Sequence, residues 1–170
     1  MALREIYTLP QPVLRRKARK VTDLGPELQN LVDDMIDTMR KAPGVGLAAP
    51  QVNAPLRVIV VEYGHDEDES VPPKLYVVVN PEITRYSPDT EIGNEACLSI
   101  PGMVGEVERP VSVTVKGLNR QGKPIKIKAS GWLARIFQHE IDHLDGILFV
   151  DRATKLWQVE EQPAQVIPAD

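Results

Sequence analysis

The chain holds 170 residues, 42% of them apolar and 26% charged, with a formal net charge of −4. A chain of this size suits one domain spanning residues 1–170 and buries roughly 70% of the surface its unfolded form exposes, which argues against disorder and a second domain. No basic run exceeds Arg15-Arg16-Lys17, and no apolar run approaches the ~18 residues of a membrane span, so direct DNA binding and membrane insertion have no footing. Aromatic residues make up only 5%, so the core is expected to be aliphatic, and the lone Cys97 excludes an internal disulfide.

In chain order, an arm containing Pro10 and Pro12 leads to Leu28, Leu31, Val32, Met35, Ile36 and Met39, which recur at helical spacing after Pro26. Pro43 and Gly44 end the pattern, predicting an amphipathic helix over 26–41 with its methionines in the core. Gly44 to Gln51, of small residues and glycines, allows a close backbone approach but by itself reads as a tight helix-to-strand connection. Arg57 to Val61 predicts a buried strand, and the acidic stretch 64–73 an exposed loop in which His65 is solvated. Leu75 to Asn80 and Glu82 to Tyr86 are expected as two strands separated by Pro81. Val111 to Lys116 and Pro124 to Lys128 alternate as a hairpin does. Trp132, Leu133, Ile136, Phe137, Ile141 and Leu144 then place residues 131–144 on a helix stopped by Gly146. Residues 151–170, with Pro163 and Pro168, are expected as a short tail. Strands in the middle and helices near each end predict an α+β fold, with antiparallel sheets packed around the helix of residues 131–144.

The chemistry starts on that helix. His139 and His143 stand at i and i+4, so both imidazoles share one face, and Glu140 adjoins the first; this H-E-x-x-H pattern suits metal-assisted hydrolysis. A catalytic site of this kind takes three protein ligands and keeps one position open. No histidine follows His143, and Cys97 in Glu95-Ala96-Cys97-Leu98-Ser99 is the best third donor, its thiolate suiting iron or zinc. Trp132 and Ile136, one turn before His139, are candidate walls of an apolar pocket, with a core role equally open to Trp132. Two other readings of the motif stand beside this one: an endopeptidase, and a peptide-binding module with a structural metal.

Three stretches together carry a resemblance. Gly44 to Gln51, Glu95 to Ser99 and Gln138 to Gly146 resemble, in order and spacing, the signature motifs of the peptide deformylases, and the flanking chain to about Val150 is similar too. The resemblance implies a hydrolase that removes the formyl group from the N-terminal formylmethionine of a nascent peptide and releases formate. It implies one divalent metal, Fe(2+) first, with Zn(2+), Ni(2+) or Co(2+) in a purified sample, held by Cys97, His139 and His143. Glu140 would be the general base and acid, and Gln51 and the Leu98 N–H would serve the oxyanion. The backbone of Val45 and Gly46 would pair with the extended substrate. A bacterial cytoplasm is the expected compartment, or an organelle's stroma or matrix if a transit peptide has been removed. Ribosome docking through a basic C-terminal helix is a family mode that this acidic, proline-broken tail does not favour. The chain departs from the pattern at Ala96, where glycine is usual, and at Val104, where many members have an arginine at the groove mouth. Arg109 is expected to pair with Glu95.

Overall fold

The computed structural model describes residues 2–160. The first helix, α1, runs Pro26–Lys41 and the second, α2, Gly131–Leu144, both with the bounds that their periodicity predicts. Between them lie β1 (Gly46–Ala48), β2 (Val58–Tyr63), β3 (Lys74–Tyr86), β4 (Thr90–Cys97), β5 (Ile100–Pro110), β6 (Ser112–Leu118) and β7 (Pro124–Ser130). A short α3 (Phe149–Arg152) and β8 (Lys155–Gln158) follow α2.

All strand pairs are antiparallel and form two sheets, β1-β2-β3-β6-β7 and β4-β5-β8. The alternation of β2 sorts the larger sheet into two faces. Ile59 and Val61 join Phe137, Ile141 and Leu144 of α2, while Val58 and Val60 join Leu31, Val32, Met35 and Met39 of α1. Each helix therefore covers one face, and this is the α+β arrangement expected, with the core largely aliphatic. A third cluster of Cys97, Ile100, Val107, Leu148 and Phe149 ties the smaller sheet to the chain after α2.

Three local outcomes differ from the sequence reading. Residues 74–86 form one strand, not two: the register shifts around Asn80 and Pro81, and Asn80 takes φ +52. Such a bulge tolerates a residue without an N–H, so Pro81 bends the strand without ending it. The Asn80 side chain accepts from the Val21 N–H at 2.8 Å and donates to the Val21 carbonyl at 3.0 Å, tethering the N-terminal arm. Residues 155–158, expected within a tail, pair with residues 103–106 of β5. The expectations placed on Pro163 and Pro168 lie outside the described residues. β4 and β5 had no strand bounds in the sequence reading, which expected only that Cys97 lies on a strand, because Thr90-Glu91-Ile92-Gly93-Asn94-Glu95 lacks an apolar alternation.

Candidate active site

The site forms where an outer strand of the larger sheet, the hairpin of the smaller one and α2 converge. Cys97 ends β4, and Leu98 and Ser99 make the two-residue turn that leads to Ile100, its register partner. On α2, His139, Glu140 and His143 are all buried, with exposures of 2%, 0% and 1%. One ligand atom from each of Cys97, His139 and His143 lies within 4.8 Å of the others. His143 Nε2 is 3.3 Å from the Cys97 sulfur. His139 Nε2 is buried with no hydrogen-bond partner among the described residues. A buried imidazole nitrogen left unpaired costs free energy unless something takes its lone pair. Two imidazoles and a thiol gathered around such a nitrogen are the donor set of a borderline-soft divalent cation, so these residues fit a metal.

The other ring nitrogen of His139, Nδ1, is 2.9 Å from Glu95 Oε1. Glu95 is fully buried and in turn accepts from Arg109 Nε at 2.6 Å and Nη2 at 2.9 Å, and from Arg135 Nη1 at 2.6 Å. Burial would raise its pKa, but Arg109 and His139 more than offset that and hold the carboxyl well below the usual carboxylate range. The Arg109 guanidinium is raised in step, burial being outweighed by Glu95 and then Asp142. Burial would lower the His139 pKa, but Cys97 and Glu95 outweigh it and raise the ring to about 10. A cation at Nε2 would displace that proton and leave the other on Nδ1, against the ionised Glu95. Burial is also the main reason that Glu140 is pushed up to about 7. For His143 burial drives the ring well below its ordinary value, so it stands neutral and ready to coordinate.

The rim comes from β1 and the turn after it. β1 is an outer strand of its sheet, and Gly46, paired with Val61, lies directly over Glu140. A Cβ at Gly46 would sit 2.7 Å from Glu140 Oε2 and 2.9 Å from its Cγ, so only glycine leaves room for this carboxylate. Val45 holds the same edge by accepting the Glu62 N–H at 2.9 Å. Gln51 is fully buried: its Oε1 accepts the Ala48 N–H at 3.0 Å, and its Nε2 points to Ser99 Oγ at 3.1 Å and Cys97 Sγ at 3.6 Å. Its side-chain amide thus stands against the thiol and the turn that bears Leu98.

Arg109 pairs with Glu95 as expected. His65 is exposed. Ile136 is 1% exposed within the core, and Trp132 is half-buried with the Arg135 guanidinium 5.3 Å from its ring centre. Ala96 causes no strain, because among the described residues positive φ outside glycine occurs only at Asn53 and Asn80. Val104 is 2% exposed on β5 and opposite Trp157 of β8. Sequence reasoning missed the link from Glu95 to His139 and the contributions of Arg135 and Ser99. Arg135 left one trace, a charged residue four positions before His139 on a helix that buries that face.

A thiol, two imidazoles and a buried carboxylate beside an open strand edge are the equipment of a metallohydrolase acting on an extended chain. The polypeptide deformylase family model matches residues 3–158, and the chain belongs to that family, hydrolases that remove the N-formyl group from newly made polypeptides. It is 51% identical to a peptide deformylase of Natranaerobius thermophilus, over 95% of this chain and 99% of that protein. With one of Desulforudis audaxviator it shares 48% identity, over 95% of this chain and the whole of the relative. Among solved structures, a Met-Ala-Ser-bound deformylase from Acinetobacter baumannii superimposes with a TM-score of 0.81 at 39% identity, covering 88% of this chain and 98% of the other. The Thermotoga maritima deformylase gives 0.81 at 38% identity, with 90% and 99% covered.

Proposed function

We propose that Cys97, His139 and His143 hold one divalent cation, and that Glu140 moves the proton as the formyl group of an N-formylmethionyl peptide is hydrolysed. The observation that carries this reading is the convergence of three ligand atoms within 4.8 Å, with Glu140 buried beside them under Gly46. When bound, the cation supplies Lewis-acid chemistry, acidifying water and polarising a carbonyl. Ferrous iron is the assignment for the native ion, the Cys-His-His set also accepting zinc, nickel or cobalt.

The chain's own residues supply the rest. Glu140, with a pKa raised by burial, takes a proton from water as it attacks and returns it to the departing amine, leaving formate and a free N-terminus. The Gln51 amide and the Leu98 N–H are assigned to the oxyanion. The position of Gln51 Nε2 beside the Cys97 sulfur supports this, because a donor fixed before the reaction needs no reorganisation during it. The peptide beyond the formyl group adds to the edge of β1 through the backbone of Val45 and Gly46. The Met-Ala-Ser bound to the Acinetobacter baumannii relative has the class of sequence that this edge would take. The compartment proposed for the reaction is the bacterial cytoplasm, where nascent chains carry the formyl group, and the bacterial origin of the relatives supports this.

The test is a formate-release assay on a formyl-Met tripeptide with the cation-loaded protein. Release of one formate per free amine formed supports the reading. Cleavage of internal peptide bonds in unformylated peptides, with no formate released, would point instead to an endopeptidase.

A further inference from the structure

We propose that Arg135 is a positioning residue for the cation site, locking the Glu95 carboxylate that orients His139; this rests on the metal reading above. Arg135 lies one helical turn before His139 on α2. Its side chain is 7% exposed. Nη1 donates to Glu95 Oε2 at 2.6 Å and to the Val107 carbonyl at 2.9 Å, and Nη2 donates to the Glu91 carbonyl at 2.7 Å. Gly93 makes the space: a Cβ there would meet Arg135 Cζ at 2.9 Å and Nε at 3.0 Å. The Trp132 ring covers the guanidinium, 5.3 Å away.

Charge alone does not call for this second guanidinium. Arg109 already forks onto both Glu95 oxygens, matching one buried negative charge with one positive. Among the described residues Arg109 has no backbone anchor at this point, its remaining hydrogen bond running to the side chain of Asp142 at 2.9 Å. Arg135 supplies one by holding the carbonyls of Glu91 in β4 and Val107 in β5 while it fills the second acceptor position of Oε2. Oε1 is then left to Arg109 and to His139 Nδ1, and the carboxylate has no freedom to turn. The ring of a ligand on α2 is thereby referenced to the β4–β5 hairpin, the element that carries Cys97. Two of the three ligands then move as one body.

The experiment uses protein loaded with Co(II), whose visible bands report ligand geometry, and follows Co(II) loss to excess EDTA. Parent, Arg135→Met, Arg135→Lys and Gly93→Ala are compared, with thermal unfolding recorded for each. Gly93→Ala is the sharpest arm, because it displaces the guanidinium without removing any charge. Changes to the groups that hold a metal ligand in place typically cost 10–100-fold in metal affinity, so about tenfold faster loss and shifted bands are expected for Arg135→Met and Gly93→Ala. Arg135→Lys, able to reach Glu95 but not both carbonyls, falls between. If folded variants lose Co(II) within twofold of the parent rate with unchanged bands, Arg135 is packing and the inference is overturned. Should Arg135→Met fail to fold, Gly93→Ala and Arg135→Lys decide the question by the same criterion. A parent that takes up no Co(II) would overturn the metal reading itself, a result distinct from unchanged release in the variants.

Discussion

Replacing Gly46 by alanine is expected to disable proton transfer while sparing the cation. The added Cβ would lie 2.7 Å from Glu140 Oε2 and 2.9 Å from its Cγ. Contact at that range is roughly 0.7 Å inside the onset of ordinary carbon contact, and Glu140 is fully buried, so the carboxylate must swing aside or β1 must lift. A misplacement near 1 Å costs about 10²-fold in rate, and the overpacking about 1–3 kcal/mol in stability. Gly46 has no positive φ to lose, so the effect is one of space and not of backbone strain. Steady-state formate release on a formyl-Met tripeptide, with metal analysis of the same sample, measures both quantities. Full cation occupancy with kcat down about 10²-fold is the expected result. A kcat within threefold of the parent would refute the claim that this glycine exists to seat Glu140.

Glu140→Gln keeps the shape and removes the proton carrier, so kcat should fall about 10²- to 10⁴-fold with the cation retained, as read by the same assay. Gln51→Ala should lower kcat about 10²- to 10³-fold through loss of one oxyanion donor, and an unchanged turnover would remove Gln51 from the mechanism. Gly146 takes φ +74, and a Cβ there would lie 2.6 Å from the Arg15 carbonyl oxygen. Gly146→Ala should therefore destabilise by about 2 kcal/mol or more, visible as a lower Tm with the metal-free protein. The acid limb of stability tests Glu95: its carboxyl is held below the ordinary carboxylate value of 4.5. A lowered folded-state pKa gives stability that is complete above that value and is lost as pH falls toward the folded one. Denaturant titrations of chelator-treated protein should thus show the parent losing stability faster below pH 4.5 than Glu95→Gln does.

Much of this was legible in the sequence because helices advertise a buried face. α1 and α2 bury Leu28, Leu31, Met35 and Met39, and Phe137, Ile141 and Leu144, at intervals that only a 3.6-residue period explains. The i, i+4 spacing of His139 and His143 follows from the same geometry. β4 was not legible, because the residues it buries, Gly93, Glu95, Ala96 and Cys97, show no alternation of large apolar side chains, and Glu95 among them meets Arg109, Arg135 and His139 instead of an apolar layer. β8 exposes all four of its residues and rests on backbone pairing, which leaves no pattern of burial to read. The union of Glu95 with His139 and Arg135 depends on the register between the hairpin and α2, some 40 residues apart in sequence, and no local signal encodes it.

The central claim is that Cys97 and two histidines of one helix, His139 and His143, hold one cation for a deformylase reaction. Anaerobically prepared parent and His143→Ala should be compared for bound divalent metal and for formate released from a formyl-Met tripeptide. One cation per parent chain with formate release, and loss of both in His143→Ala, is the predicted result. A cation-loaded parent that releases no formate, or a variant that keeps both metal and turnover, would contradict the account.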